Sequence, residues 1–184
     1  VKAYMFGLDY WQLDDPSRTA AELSGDKRKA NPVLADRLGA DEIIFAVRQR
    51  SRDGHWYANI ARNVYGTTKY YGDGGRLSRW NVRTGKVVHL VDDPRGGVRD
   101  PQMHYDGKKI LFSYRKGGSE YYHLWEINLD GTALKQLTDG PYDDIEPTYL
   151  PDGGIIFPST RCNGWVPCGY YITMVLYRCN GQGK

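Results

Sequence analysis

The sequence lacks the features that identify a membrane protein or a nucleic-acid-binding protein. None of its hydrophobic runs approaches the roughly 20 apolar residues that a bilayer-spanning helix needs, so we expect no membrane span. Charge of one sign is not concentrated either, because 25 Lys and Arg residues are interleaved with 22 Asp and Glu residues, for a net charge of +3. A nucleic-acid-binding domain gathers its basic residues on one element. We therefore expect no nucleic-acid partner.

Motifs for catalysis and metal binding are also missing. The four histidines show no metal-ligand spacing such as His-x-x-x-His. The chain has no Gly-x-Ser-x-Gly elbow, no Walker loop and no Cys-x-x-Cys-His haem attachment site. The sequence thus predicts no catalytic residue, no metal site and no cofactor within this segment. Whether the protein is an enzyme stays open.

Cysteine is scarce, and the three cysteines all lie near the C-terminal end of the chain. Cys162 and Cys168 are separated by five residues, whereas a zinc knuckle has two between its cysteines. A local disulfide between Cys162 and Cys168 is the leading interpretation, and it would indicate an oxidising compartment. Reduced structural thiols are the alternative. Cys179 could pair with either cysteine or with neither.

What the chain does contain is a repeat with a nearly constant interval. Pro101 and Pro147 are 46 positions apart, and the same interval separates the Asp106-Gly107 turn from Asp152-Gly153 and Arg115 from Arg161. The 15 Tyr, 5 Trp, 22 Gly and 9 Pro residues favour many short strands joined by tight turns. A strand-rich repeat of 40 to 50 residues is typical of a β-propeller blade. The sequence therefore predicts an all-β fold, a partial β-propeller of two to three four-stranded antiparallel blades from a larger ring.

The repeat also predicts how the chain is divided. Residues 1–40 are predicted to be a lead-in, a linker or the edge of a preceding domain, with Ser17 capping a short helix over residues 18–23. Residues 41–184 are predicted to form the propeller segment. Its blades span about 41–91, 100–138 and 146–184, and the third blade is incomplete because its fourth strand would follow Lys184.

Apolar runs and turn signals predict the individual strands. The predicted strands span residues 42–48, 76–82 and 86–91 in the first blade, 101–105, 109–115, 122–128 and 134–138 in the second, and 147–150, 154–160 and 176–180 in the third. A long insertion, residues 49–75, separates the first two strands, and loops of that length in a compact domain are usually functional or disordered.

The candidate binding residues follow from the way strands connect within a blade. In an up-and-down blade successive connections alternate between the two ends of the sheet, so the Asp-Gly turns lie at one end. The opposite end, which we call the loop-rich end, receives the connections 49–75, 92–100, 116–121, 139–146 and 162–173. Binding residues tend to lie on loops held by a rigid scaffold. The candidates on this end are His55, Trp56, Tyr57, Arg99, Asp100, Arg115, Asp144, Glu146 and Arg161.

Two interpretations of these charged candidates are open. In the favoured one, Asp100 and Glu146 tie neighbouring blades together through hydrogen bonds or ion pairs to Arg115 and Arg161, because the residues recur once in each repeat. In the other, the same residues form a ligand site on the loop-rich end. The first interpretation predicts buried, mutually paired side chains.

The stretch LTDGPYDDIEPTYLPDGGIIFPSTR, residues 137–161, is similar to the repeat of TolB-type β-propellers, which carries the pattern LT.G...D..P..SPDG..I.F.S.R. Over residues 31–184 the chain also resembles the hydrazine synthase alpha-subunit-like family of planctomycete-type bacteria. That resemblance rests on the segments DEIIFAVRQ, DGHWYANI, YGDGGRL, GGVRDPQMHYDGKKILFSYRKGG and DDIEPTYLPDGGIIFPSTRCN.

The resemblance carries its own implications for location and function. It implies a secreted or periplasmic bacterial protein, in which a propeller lies next to domains that carry c-type haem in hydrazine synthase. That enzyme joins nitric oxide and ammonium into hydrazine. Since this chain has no haem attachment motif, the haem would lie in flanking domains. Two functions are therefore expected: a binding module for a protein, peptide or glycan, or the scaffold of a multihaem redox enzyme with a neighbouring haem domain.

Overall fold

A computed structural model describes residues 28–48, 72–166 and 171–184 of the chain. The predicted helix over residues 18–23, the candidates His55, Trp56 and Tyr57, and Cys168 lie outside the described residues. In chain order the elements are α1 Pro32–Leu38, β1 Glu42–Arg48, β2 Gly75–Asn81, β3 Val87–Asp93, β4 Gly97–Met103, β5 Lys109–Arg115, β6 His123–Asn128, β7 Lys135–Gln136, β8 Thr148–Tyr149, β9 Ile155–Ser159, a 3-10 helix Thr160–Cys162, β10 Trp165–Val166, β11 Tyr171–Ile172 and β12 Val175–Cys179.

The strands form antiparallel sheets in the order that a propeller requires. Blade 1 has the strand order β1-β2-β3, blade 2 has β4-β5-β6-β7, and blade 3 has β8-β9-β12. All the pairings are antiparallel, and β10 and β11 form a separate small hairpin. The predicted all-β fold of propeller blades is confirmed.

The hydrophobic core lies between the blades, because alternate side chains of each strand point to opposite faces of its sheet. Between blades 1 and 2 the buried cluster consists of Ile44, Leu77, Val91, Val98, Ile110, Phe112, Tyr114, Trp125 and Ile127. Between blades 2 and 3 it consists of Leu111, Leu124, Leu137, Tyr149, Ile155, Phe157 and Cys179. Ile110 and Leu111 thus face opposite neighbours, which places blade 2 in the middle of the stack.

Two strands match their prediction residue for residue, and one predicted loop does not. β1 and β5 begin and end where their apolar, β-branched runs predict. The predicted connection 92–100 is wrong, since β3 continues to Asp93 and β4 begins at Gly97. The short connection is held by the Asp93 carboxylate, which accepts hydrogen bonds from the Tyr114 hydroxyl and the Gly117 amide, both at 2.7 Å. Because these contacts hold the connection between β3 and β4, it is shorter than the predicted loop 92–100.

Helix α1 lies in the residues that the sequence suggests to be a lead-in. The side chain of Asn31 caps it by accepting a hydrogen bond from the amide of Leu34 at 2.9 Å, and Gly39, with φ of 61°, ends it in the left-handed conformation. Ala35 is its buried residue. The helix packs on blade 1 in a cluster of Ala35, Ile43 and Val82, with Leu34, Leu38 and Trp80 at its margin.

The first hairpin of blade 3 is one residue shorter than that of blade 2. Met103 pairs with Ile110 in blade 2, seven positions later, whereas Tyr149 pairs with Ile155 in blade 3, six positions later. Equivalent residues of blades 2 and 3 are therefore 46 positions apart before the turn of this hairpin and 45 positions apart after it. As a consequence Phe157, and not its neighbour, takes the place of Phe112 in blade 3.

Candidate functional site

The structure brings the described candidate residues to one end of the blades. In blade 2, Gly97 pairs with Arg115 and Tyr114 with His123, while the Asp106-Gly107 turn lies at the opposite end of the same strands. In blade 3, Asp144 forms a bridge with Ser159 at the corresponding end. The loop-rich end is thus where Arg99, Asp100, Arg115, Asp144, Glu146 and Arg161 lie.

Arg99 joins blade 2 to blade 3 through two carboxylates. Its Nε donates to Asp100 Oδ2 at 2.5 Å, and its Nη2 donates to Glu146 Oε1 at 3.1 Å. The Glu146 amide donates to the Ser113 hydroxyl at 3.0 Å and to Asp100 Oδ2 at 3.2 Å. Arg99 is only 5% exposed. Asp100 and Glu146 therefore do connect blade 2 to blade 3. The arginine that pairs with them is Arg99, so the prediction that they pair with Arg115 and Arg161 is wrong.

The backbone at this tie is unusual in both blades. Asp100 has φ of 55° and Glu146 has φ of 49°, a left-handed conformation that residues other than glycine rarely adopt. Each of these acids precedes a proline, and the two positions are 46 apart. In blade 2 the strand register shifts between Arg99 and Gln102, which is the signature of a β-bulge. The bulge turns the Asp100 carboxylate toward the next blade.

Asp144 is the most deeply buried candidate, with no exposed surface. Its carboxylate accepts hydrogen bonds from Arg161 Nη2 at 2.7 Å and from Arg161 Nε at 3.3 Å. Its backbone amide donates to the Tyr122 carbonyl oxygen of the neighbouring blade at 2.8 Å. His123 Nδ1 lies 3.9 Å from Asp144 Oδ2. Asp144 therefore anchors Arg161 within blade 3 and its own backbone to blade 2.

The environment of Asp144 favours its charged form. Burial acts to raise the pKa of this carboxyl, but its interactions with His123, Arg161, Ser159 and Thr138 outweigh burial and leave the pKa below its ordinary value. The Thr138 hydroxyl also accepts a hydrogen bond from the Leu124 amide at 3.0 Å. A fully buried carboxylate held by several donors is suited to structural cohesion and not to proton transfer near neutral pH.

Arg161 fills a cage of aromatic rings. Its guanidinium carbon lies 4.4 Å from the ring centre of Tyr142, 5.3 Å from that of Phe157 and 5.4 Å from that of Tyr177. Cation–π contacts of this kind add to the ion pair with Asp144. Arg161 thus holds the 3-10 helix after β9 against the sheet.

Arg115 is buried and makes a different set of contacts. Its Nη2 donates to Asp73 Oδ1 at 2.7 Å and to the Gly72 carbonyl at 3.3 Å, and its Nη1 donates to the Arg95 carbonyl at 3.3 Å. Only 3% of its side chain is exposed. Arg115 ends β5, whereas Arg161 lies beyond β9, because of the shorter hairpin of blade 3. The two arginines are therefore not equivalent in three dimensions.

Several residues of this site were not among the sequence candidates. They are Asp73, Ser113, His123, Thr138 and Ser159. Thr138 and Ser159 belong to the LT and S.R positions of the 137–161 stretch, so the motif held the signal. Asp73 lies near the end of the long insertion and has no counterpart in the repeat, and no pattern in the sequence points to it.

The two described cysteines have different environments. Cys162 is an exposed free thiol whose Sγ lies 3.6 Å from the Thr173 carbonyl oxygen, and Cys179 is buried between blades 2 and 3. Burial raises the pKa of the Cys179 thiol, which makes it a poor nucleophile. Cys162 is unpaired in the structure, and since Cys168 lies outside the described residues, the disulfide between them stays a prediction.

Two kinds of feature are absent from the described residues. Within 28–48, 72–166 and 171–184, no group of three or more His, Cys, Asp or Glu side chains is arranged to hold a metal ion. No helix in the same part of the chain is both long and apolar enough to cross a membrane.

Two curated proteins match the sequence of the chain. No protein-family profile matches the chain. Over 116 residues the chain is 30% identical to hydrazine synthase subunit alpha of Kuenenia stuttgartiensis, a match that covers 62% of this chain and 13% of that protein. Over 94 residues it is 27% identical to the Tol-Pal system protein TolB of Francisella tularensis, covering 51% of this chain and 21% of that protein. The chain thus spans a small part of the length of both relatives.

Among solved structures, hydrazine synthase of Kuenenia stuttgartiensis matches with a TM-score of 0.50 and 19% identity, over 85% of this chain and 22% of that one. At this identity the likeness concerns the fold alone. The antiparallel blades and the 137–161 repeat are similar to those of TolB-like β-propellers. The chain is also similar in sequence to hydrazine synthase subunit alpha, so the predicted resemblance to both groups of proteins is confirmed.

Proposed function

We propose that this propeller segment is a scaffold and binding module that presents its loop-rich end to a protein partner. The observation that carries the proposal is the network beneath that end. Arg99, Arg115 and Arg161 each bind carboxylates or backbone carbonyls of the blades, so the loops start from a rigid base. Catalysis needs side chains that can contact a substrate, whereas these arginines hold the blades together. A peptide or a glycan is the alternative ligand class.

The relatives support a protein partner and a location outside the cytoplasm. One relative, TolB of Francisella tularensis, is a protein of the Tol-Pal system. We carry this association to the present chain as part of the proposal, together with a periplasmic or secreted location, which the family resemblance implies.

A second candidate is favoured by the 30% identity to hydrazine synthase subunit alpha. In that case the segment is a scaffold within a larger redox enzyme. The cysteines present here do not fit covalent haem attachment, because none lies in a Cys-x-x-Cys-His motif and Cys179 is buried between the blades. A c-type haem would then belong to a neighbouring domain.

Affinity capture with matched variants tests the binding function. The bait is the purified chain, compared with a triple variant His55→Ala, Trp56→Ala and Tyr57→Ala in the long insertion. The control is Leu134→Ala, an exposed apolar residue between the Asp130-Gly131 turn and β7, at the other end of the blade. We expect a captured protein that the triple variant loses at least tenfold and the control retains. Equal capture by all three baits would contradict the proposal.

A reduced pyridine-haemochrome spectrum of the full-length native protein separates the two candidates. A c-type haem band would favour the scaffold of a redox enzyme, with the loop-rich end facing the haem domain. A spectrum without such a band, together with specific capture, would leave the binding module as the function.

A further inference from the structure

Arg48 and Arg115 hold equivalent positions in blades 1 and 2. Strands β1 and β5 each have seven residues, and the first residue of each pairs with an asparagine of the following strand. Arg48 and Arg115 are the last residues of these strands. Arg115 is buried and its guanidinium binds Asp73 and backbone carbonyls, whereas Arg48 is exposed. The side chain of Arg48 makes no hydrogen bond or ion pair with the described residues.

The side chain of Arg48 faces blade 2. Side chains alternate between the two faces of a strand, and Ile44 and Ala46, on the same face as Arg48, pack in the cluster between blades 1 and 2. Arg48 pairs with Gly75, which approaches the Val98 amide of blade 2 too closely for a side chain. Arg48 therefore lies where blades 1 and 2 meet, at the loop-rich end.

Three arginines surround the hydroxyl of Tyr122 at this place. Arg99, Arg115 and Arg48 all act electrostatically on the hydroxyl, and Arg115 also donates a hydrogen bond to it. The hydroxyl lies over Gly97, where a Cβ would clash with it. Burial raises the pKa of Tyr122, so the phenol is neutral and gives the three arginines no negative charge. We call these three residues the arginine cluster.

Two members of the arginine cluster have carboxylates of their own. Arg99 binds Asp100 at 2.5 Å and Glu146 at 3.1 Å, and Arg115 binds Asp73 at 2.7 Å. Both arginines are almost completely buried, so these contacts hold the blades and are not open to a ligand. The exposed member of the cluster is the one that a ligand can reach.

Arg48 carries a positive charge that its surroundings do not fully balance. The side chain is exposed, but neighbouring groups take water from its guanidinium. This burial and the positive charge of Arg99 lower the pKa of Arg48. The carboxylates of Asp100 and Glu146 act to raise the pKa, but their effect is smaller. An anion bound at Arg48 would supply the missing negative charge and replace the lost water.

We propose that Arg48 binds a carboxylate of the protein partner, so that the loop-rich end recognises an acidic side chain. This inference rests on the proposed binding function and names the chemistry that the partner brings. The planar guanidinium donates two parallel hydrogen bonds to a carboxylate. A carboxylate fits better than a phosphate, because Asp100 and Glu146 lie within electrostatic range of Arg48 and would repel a second negative charge.

Fluorescence anisotropy with a labelled hexaglutamate peptide and the purified chain tests this site. Hexaglutamine is the uncharged control peptide. The test variant is Arg48→Gln. The matched control is Arg95→Gln, which removes the same charge from an exposed residue of the loop-rich end, between β3 and β4. Far-UV circular dichroism verifies that both variants are folded.

We expect hexaglutamate to bind the unsubstituted chain. Arg48→Gln should weaken this binding about tenfold and Arg95→Gln less than about twofold, since a direct charge-assisted contact contributes more than a general attraction. Hexaglutamine should not bind. Absence of hexaglutamate binding, or equal weakening by the two variants, would overturn the proposal. Displacement of the peptide by inorganic phosphate at a lower concentration than acetate, at equal ionic strength, would also overturn it, because the site would then select phosphate.

The same variant separates this inference from the binding function on which it rests. If affinity capture recovers a partner that the Arg48→Gln bait retains in full, the binding function stands and the carboxylate contact is refuted. If hexaglutamate binds through Arg48 but all baits in the capture experiment behave alike, the carboxylate site stands and the proposed protein partner is refuted.

Discussion

At the scale of the residue, Asp144 joins two blades with one carboxylate and one amide. The carboxylate binds Arg161 of its own blade, and the amide binds the Tyr122 carbonyl of the neighbouring blade. A buried charge is tolerated only when it is paired and hydrogen-bonded, and here several donors surround it. Removing the charge would leave the Arg161 guanidinium without its counterion among three aromatic rings.

We expect Asp144→Asn to lower the free energy of unfolding by about 3 kcal/mol, the effect of breaking a buried ion pair by removing one partner. Urea titration followed by tryptophan fluorescence measures the change. The matched control is Asp152→Asn, whose carboxylate pairs with Arg178 at the surface, where more than half of each side chain is exposed. The control should change stability little, because exposed ion pairs are weak. Equal losses in the two variants would contradict the buried role of Asp144.

The lowered pKa of Asp144 gives a prediction for pH. A carboxyl with a lower pKa in the folded state stabilises the protein above the pKa of the unfolded chain, about 3.9, and this contribution disappears as the pH falls through the folded pKa. The stability difference between the unsubstituted chain and Asp144→Asn should therefore be constant above about pH 5 and shrink below about pH 4. Urea titrations between pH 3 and pH 7 provide the test. If the stability difference shrank as the pH rises and not as it falls, the conclusion that folding lowers the pKa of Asp144 would be refuted.

At the scale of the element, strand β2 of blade 1 approaches β4 of blade 2 so closely that only glycine fits. A Cβ on Gly75 would clash with the Val98 amide nitrogen and lie 2.8 Å from the carbonyl carbon of Gly97. Both obstacles are backbone atoms, which cannot move without shifting the strand. The distance between blades 1 and 2 thus depends on glycine at position 75, which has no side chain.

Gly75→Ala should therefore cost about 2 kcal/mol of stability, the usual effect of overpacking a closely packed contact. The control is Gly154→Ala, because a Cβ there would meet only the ends of the Arg178 and Asp152 side chains at 3.0 and 3.1 Å, which can move aside. Thermal unfolding by calorimetry compares the two. A Gly75→Ala variant as stable as the control would show that the blades can separate freely.

The elements also show what the sequence could predict and where it could not. The runs EIIFAVR and KILFSYR predict β1 and β5 without error, because an apolar β-branched stretch determines a buried strand locally. The partner of Arg99 was not predictable in this way, since it depends on a bulge and on the position of the next blade. Helix α1 has seven residues, too few for a strong periodic signal, and it exists because blade 1 offers a face to pack on.

At the scale of the whole molecule, blade 2 lies between two neighbours and blade 3 lies at the end of the described stack. Ile110 and Phe112 are buried against blade 1, and Leu111 is buried against blade 3. Strand β12 of blade 3 carries the exposed residues Val175 and Leu176. Stability in stacked repeats comes from interfaces with nearest neighbours, so it should differ between these blades.

We expect amide hydrogen exchange to be at least about 100-fold slower in β5 than in β12, because opening β5 requires breaking two interblade interfaces. Exchange monitored by mass spectrometry on peptides that cover residues 109–115 and 175–179 measures the ratio. Peptides from β1, which are covered by helix α1 on their outer side, should exchange at an intermediate rate. Equal protection of β5 and β12 would contradict the dependence on neighbours.

The turn that is one residue shorter in blade 3 matters for anyone who wishes to recombine the blades. A chimera that exchanges the first hairpins at positions 46 apart keeps its prolines aligned, but a crossover within the second strand would offset that strand by one residue. Every side chain beyond the junction would then point to the opposite face of the sheet, so Phe112 would face blade 3 instead of blade 1 and Phe157 would lose its contact with blade 2. Crossover points placed before the turn avoid this, so transplanted hairpins should be exchanged whole, each with its own turn.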